Sequence, residues 1–287
     1  MADCQDSSSD PMSNQADDIR LLILDIDGTI AGESNEIRPA VLEAVKAVRE
    51  RGIQVAIATG RMYCSAVRFH EALGLSLPIM AYQGALMKDP QTQTVHRHWP
   101  VSRALATRLL DDLERSEQTA QISVHFYIDD QLYVRDLTPE TIEYAERSGV
   151  KPIAVGDLRS VLHRDTTKIL ALSPDPDLIS SMLSSFRQQY TPAELYFTKS
   201  VSTFFEAANP NVNKGVAVQA MTEDMLNLTA SNVMAIGDNF NDVEMLRYSG
   251  IGIAMGNAPE EVQANADWVT EDVEADGVAI ALEKFLL

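Results

Sequence analysis

The chain has 287 residues, 45% of them hydrophobic and 23% charged, enough for two domains around a real hydrophobic core. Its 42 Asp and Glu against 23 Lys and Arg leave a formal charge of −19, which repels nucleic acid backbones and anionic lipid and sets both aside as partners. With only Cys4 and Cys64 there is no disulfide framework, so the expected compartment is a reducing cytoplasm, and no apolar stretch approaches the roughly 18 residues of a membrane-spanning helix.

Residues 1–18, MADCQDSSSDPMSNQADD, lack a basic start with an apolar stretch behind it and read as a disordered tail, not a secretory signal. From Ile19 strands and helices alternate. Leu21 to Leu24 is an apolar strand running into "DIDGT". Pro39 starts a helix with Val41, Leu42, Val45 and Val48 on one face, and Gly52 stands where it should stop. Ile53 to Ala58 is a β-branched strand that ends in "ATGR", a helix follows over Met62 to Leu73, and "LPIMAYQGA" is a short strand and loop. Buried strands joined by helices imply a parallel sheet.

The middle reads differently. Ser102 caps a helix with Leu105, Leu109 and Leu113 on a stripe, and "QISVHFYIDDQLYVRD" gives two strands around an Asp129-Asp130 turn. Helices at Pro139 to Arg147 and Asp177 to Gln189, and strands at Lys168 to Leu172 and within Glu194 to Phe205, complete an α+β module. After about residue 206 the first pattern returns: Asn213 caps "KGVAVQAM", "NVMAIGDNFND" is strand and loop, a short helix ends at Gly250, and "IGIAMGNA" is a further strand and loop. The predicted fold is α/β. A parallel-sheet core over 19–84 plus 205–287 is interrupted by an inserted cap over 85–204.

Ligands of open parallel sheets bind beyond the carboxyl ends of the strands, so "DIDGT", "ATGR" and "GDNFND" can share one crevice, with Lys214 arriving from a helix start. Asp25 and Asp27, two apart on an extended strand, point to the same side, so one can attack while the other donates and accepts a proton. Thr59 and Gly60 offer hydroxyl and N–H donors suited to phosphate oxygens. Asp238 and Asp242 beside Asp25 crowd carboxylates that need a cation, and an all-oxygen site with an open position suits Mg²⁺. Taken singly, "DIDGT" is also a hairpin turn, and "GDNFND" an Asx-rich turn or a calcium loop lacking its later glutamate. Their order along the chain, each at the end of a strand or the start of a helix, argues for a site.

"DIDGT", "ATGR", "NKG" and "GDNFND", followed by "MGNA" and "ADWVT", resemble the haloacid dehalogenase superfamily phosphatases of the Cof type, from about Ile19 to the end of the chain. The resemblance implies a Rossmann-like core with a large cap, and a Mg²⁺-dependent phosphatase of small phosphorylated metabolites. It makes Asp25 the nucleophile that forms an aspartyl-phosphate and Asp27 the general acid and base. The metal would be held by Asp25, Asp238 and the Asp27 backbone carbonyl, with Asp242 in support. Thr59, Gly60, Lys214, Asn241 and the Ile26 N–H would hold the phosphoryl group. A phosphosugar mutase of the same superfamily and a receiver-like phosphoacceptor are the rival readings. Where the family has Asn-Gly-Ala, this chain has Gln83-Gly84-Ala85, and Gln reaches one methylene further. His96 and His98 share a face of a strand without a third ligand, Cys64 reads as a packed residue, and the acidic runs read as solvated faces.

Overall fold

The computed structural model describes residues 16–115, 121–199 and 201–287. Cys4 and most of the expected tail therefore lie outside the described residues, while the Ile19 N–H already donates to the Ala16 carbonyl at 3.2 Å. The first strand, β1 (Leu21–Leu24), is buried at every position. Helix α1 (Pro39–Glu50) carries Pro at its start, buries Val41, Ala44, Val45 and Val48, and is followed by Gly52 in the left-handed region at φ 84. Then come β2 (Gln54–Ile57), α2 (Tyr63–Ala72) and β3 (Ile79–Ala81).

The chain next adds β4 (Leu86–Lys88), which pairs antiparallel with β3, and β5 (Val95–His98), which pairs antiparallel with β4, in a small three-stranded sheet. The cap follows as α3 (Arg103–Arg115), β6 (Ser123–Ile128), β7 (Gln131–Val134), α4 (Pro139–Ser148) and β8 (Pro152–Ala154). It is completed by β9 (Ile169–Leu172), α5 (Pro176–Gln189), β10 (Tyr196–Thr198) and β11 (Phe204–Ala208). Its six-stranded sheet has the order β10-β11-β9-β6-β7-β8. Strand β9 alternates as a two-faced strand must: Ile169 and Ala171 pack with Leu109, Leu113 and Phe186 of the cap helices, whereas Leu170 and Leu172 join the cluster shared with the core.

The return to the core is made by α6 (Lys214–Gln219), which continues as a π-helical turn through Met225. After it come β12 (Val233–Gly237), α7 (Val243–Tyr248), β13 (Ile251–Ala254), α8 (Glu260–Gln263), β14 (Trp268–Val269) and α9 (Gly277–Phe285). The core sheet is parallel throughout in the order β14-β13-β12-β1-β2. Leu24 sits level with both Ile236 and Ile57, so the loops after β1, β12 and β2 leave the sheet side by side. The expected α/β architecture with an inserted α+β module is the one observed.

One sequence expectation is corrected. Cys64 is exposed rather than packed. It stands at the solvent-facing start of α2, and partial burial and the nearby Asp130 push its thiol up to about 12, away from reactivity. Among the described residues no helix is long and apolar enough to cross a membrane.

Candidate active site

Strand β1 delivers Asp25 to the edge of the crevice, and the next residues turn sharply. The N–H groups of Thr29, Ile30 and Ala31 all converge on the Ile26 carbonyl, at 3.2, 3.1 and 2.9 Å. The turn depends on Gly28, whose φ is 77 and where an added Cβ would stand 2.2 Å from Asp238 Oδ2. Strained backbone and a clash with a buried carboxylate act together, so Gly28→Ala is expected to cost on the order of 2 kcal/mol or more in unfolding free energy. Urea denaturation of the purified variant checks this.

Four predicted side chains meet below the turn. Lys214 Nζ donates to Asp25 Oδ1 at 2.6 Å and to Asp242 Oδ1 at 2.5 Å, with its side chain 1% exposed. Burial opposes the ammonium, but Asp242 and Asp25 outweigh it and raise the pKa of Lys214, keeping it charged. One oxygen each of Asp25, Asp238 and Asp242 lies within 4.8 Å of the others. Burial first, then the neighbouring carboxylates, push Asp25 up to about 7 and Asp238 up to about 9. Such a cluster is incomplete without a cation, and its donor set is the hard oxygen set that Mg²⁺ prefers.

Asp242 has both oxygens engaged: Oδ1 by Lys214, and Oδ2 by the N–H groups of Asp238 and Asn239, each at 3.0 Å. That geometry suits a residue supporting the loop more than one offering a free lone pair. Among the described residues Asp238 accepts only long contacts, 3.3 Å from Thr29 Oγ1 and 3.4 Å from Asn257 Nδ2, which leaves it lone pairs for a metal.

Asp27 points elsewhere. Its carboxylate is held by Arg61, at 2.8 Å from Nε and 2.6 Å from Nη2, and Arg147 of the cap stands 3.8 Å away. Burial alone would raise Asp27, but the Arg61 hydrogen bonds and charge, with Arg147 behind them, hold it below the usual carboxylate range. Asp27 can therefore offer a metal its backbone carbonyl while its side chain faces the cap.

Asp25, Asp27, Gly60 and Asn241 line a cavity of about 440 Å³ between core and cap. Arg61, Lys168 and Tyr144 also line it. Thr59 and Lys214 sit just behind this wall, each 1% exposed. The Thr59 hydroxyl accepts from the Arg61 N–H at 3.1 Å, and the Ile26 N–H meets no acceptor among the described residues. Lys168 reaches across from the cap. Its ammonium donates to Glu206 Oε2 at 2.8 Å and to the Gly60 carbonyl at 3.1 Å.

Sequence reasoning singled out neither Arg61, Arg147 nor Lys168. Arg61 had a signal, as the last residue of "ATGR"; the two cap cations had none. His98 is accounted for by Thr167 Oγ1 at 3.1 Å.

A family model described as haloacid dehalogenase-like hydrolase matches residues 22–282. A 5-amino-6-(5-phospho-D-ribitylamino)uracil phosphatase of Bacillus subtilis is 28% identical, over 92% of this chain and 97% of its own. A pyridoxal phosphate phosphatase of Escherichia coli is 27% identical, over 91% and 96%. A solved haloacid dehalogenase-like hydrolase of Bacillus subtilis superposes with a TM-score of 0.83 at 21% identity, over 93% of this chain and all 100% of that one. A solved Thermotoga maritima protein reaches 0.78 at 26% identity, over 93% and 97%. The chain belongs to the haloacid dehalogenase-like hydrolase family, as its Cof-type motifs imply.

Proposed function

We propose that this hydrolase is a Mg²⁺-dependent phosphatase of small phosphorylated metabolites. The observation that carries the reading is the buried cluster of Asp25, Asp238 and Asp242 around Lys214, beneath the cavity that Asp25 lines. Asp25, Asp238 and the Asp27 carbonyl would hold the metal, which when bound screens the phosphoryl oxygens from the carboxylates. The sequence charge of −19 makes such local positive charge a requirement for any anionic substrate.

Lys214 fixes one Asp25 oxygen and leaves the other to attack phosphorus, so that an Asp25 O–P bond forms as the ester P–O bond breaks. As the entering ester draws Arg61 away, Asp27 takes up a proton from the ester monoanion or from solvent, and it passes that proton to the leaving oxygen. It then accepts one from the water that hydrolyses the aspartyl-phosphate, which regenerates Asp25 and releases inorganic phosphate. Arg61 holds Asp27 as a carboxylate until an anionic group enters the cavity and competes for the guanidinium. Thr59, Gly60, Asn241 and the Ile26 N–H supply donors for the phosphoryl oxygens. Closure of the cap keeps bulk water from the ester and exposes the leaving group to cap side chains such as Tyr144 and Lys168. The two cysteines, one of them exposed, fit a reducing cytoplasm.

The test is release of inorganic phosphate from para-nitrophenyl phosphate with Mg²⁺. Activity is expected with the metal and is expected to fall at least about 100-fold after EDTA treatment, returning when Mg²⁺ is restored. Full turnover in EDTA would remove the metal from the reading. Recovery of the phosphoryl group on another hydroxyl of a hexose phosphate, in place of free phosphate, would make the enzyme a mutase.

A further inference from the structure

Three consecutive residues, Tyr82 (φ 53), Gln83 (φ 62) and Gly84 (φ 92), lie in the left-handed region, which L side chains rarely adopt. This strap crosses the "ATGR" loop: the Gln83 N–H donates to the Thr59 carbonyl at 2.8 Å and the Tyr82 N–H to the Arg61 carbonyl at 2.9 Å. Gln83 is 2% exposed. Its Oε1 accepts from Asn241 Nδ2 at 2.9 Å, while its Nε2 is buried without a partner. That free amide lies against Gly60, where an added Cβ would stand 2.6 Å from it. A buried N–H without an acceptor is unfavourable, so the position makes sense if a ligand supplies one. Its neighbours Gly60 and Asn241 line the cavity.

The strap is also where the cap presses on the core. Asp129 and Asp130, with φ 52 and 59, form the tight turn between β6 and β7. Asp130 Oδ1 accepts from the Tyr82 hydroxyl at 2.6 Å, and its Oδ2 from the Cys64 N–H at 2.9 Å. Helix α2 has no side-chain cap of its own at Met62, so this cap carboxylate closes its first turn from across the interface. Tyr82 additionally meets Tyr127 of β6 edge to face, with ring centroids 5.6 Å apart.

We propose that Asp130 is a positioning residue for phosphoryl binding. Docking of the cap turn fixes Tyr82, Tyr82 fixes the left-handed strap, and the strap holds the Gln83 amide where its free N–H meets a phosphoryl oxygen. The inference rests on the phosphatase reading of the same site and adds to it a physical route from cap position to phosphate affinity.

The test compares full-length wild type, Asp130→Ala, Tyr82→Phe and the double variant, with inorganic phosphate as competitive inhibitor of para-nitrophenyl phosphate hydrolysis. Each single variant is expected to raise the phosphate inhibition constant about 10-fold with kcat changed less than about threefold. Because both act through one link, the double variant is expected to stay near 10-fold instead of approaching about 100-fold. Melting temperatures are recorded alongside, since a purely structural role would lower them without weakening phosphate. Tyr82→Phe keeps the ring packing and decides the matter alone if Asp130→Ala does not fold. An inhibition constant within twofold of wild type in Tyr82→Phe, or losses that multiply in the double variant, would overturn the proposal. A wild type that hydrolyses no ester defeats the phosphatase reading instead, and calorimetric binding of inorganic phosphate to the same four proteins then judges the strap separately.

Discussion

Purified Asp25→Asn is expected to release inorganic phosphate from para-nitrophenyl phosphate at least about 10³-fold more slowly than wild type, because it lacks the group that forms the covalent intermediate. The size of the loss follows from the task. Phosphate monoesters are among the slowest uncatalysed reactions, with enzymatic accelerations near 10²¹, and no single donor compensates for a missing nucleophile. The substitution should leave the fold intact. Asp25 is 4% exposed, and burial pushes its carboxyl up to about 7, so a neutral amide of the same shape relieves the site of a charge it holds reluctantly. Lys214 keeps Asp242 as its partner at 2.5 Å. Asp25→Asn should therefore melt within about 3 °C of wild type, a shift that corresponds to roughly 1 kcal/mol in a protein of this size. Phosphate release and a circular dichroism melt on one preparation separate chemistry from folding. Wild-type turnover in a folded Asp25→Asn would end the assignment of the nucleophile.

Much of this fold is written in short-range patterns. The run LLIL before Asp25 is apolar at each position because β1 is covered on both faces, and the sheet partners that cover it are parallel. Pro39 and Gly52 bracket α1 for local reasons, one fixing φ and the other accepting a positive φ. Asn213 caps α6 as expected, its Oδ1 accepting from the Val216 N–H at 2.8 Å, which is how Lys214 comes to start a buried helix. The meeting of Asp25, Lys214, Asp238 and Asp242 was legible because each residue follows a strand or opens a helix at the same end of one parallel sheet.

What the sequence hides are contacts whose partners lie on the far side of the insertion. Lys168 reaches the Gly60 carbonyl across 108 positions, and Asp130 reaches Tyr82 across 48. No local periodicity encodes such pairs, since they depend on how cap and core dock. The strand that carries His96 and His98 is readable in the sequence, but its partner β4 is not, because three residues directly after the Tyr82–Gly84 turn are too few to show an alternation. Cys64 reads as packed because Tyr63, Ser65 and Ala66 beside it are buried, but it stands on the exposed side of the first turn of α2, where the Asp130 turn touches it.

The acidic cluster also predicts how stability depends on pH and metal. In EDTA, the unfolding free energy is expected to fall by about 2–3 kcal/mol between pH 7 and pH 9, roughly 5–10 °C in melting temperature. The sign follows from Asp238, raised from 3.8 to about 9 by burial, then by Asp242 and Asp25. A carboxyl whose pKa is higher in the folded state binds a proton there that the unfolded chain has already released, so each pH unit in this window costs about 1.4 kcal/mol. Asp25, raised to about 7, adds to the loss mainly at the lower end of the window. Asp27, lowered by Arg61 against its burial, stabilises above the ordinary carboxylate pKa and is already fully ionised at pH 7. Lys214, raised by Asp242 and Asp25, contributes fully below its unfolded value of 10.5 and is constant over the same range. His70, His98 and His125 are lowered from 6.5 by desolvation, so their contribution rises with pH through that value and is largely in place when the window opens. Two interventions should flatten the slope. Asp238→Asn removes the titrating proton. Mg²⁺ displaces it, and at about 100 times its dissociation constant adds about 2.7 kcal/mol, with the larger gain at pH 9, where less proton has to leave. Urea denaturation at pH 7, 8 and 9, with EDTA or Mg²⁺, measures all of these. If the metal-free wild type were equally stable across that range, or if Asp238→Asn kept the wild-type slope, Asp238 would not be the group that a bound cation neutralises.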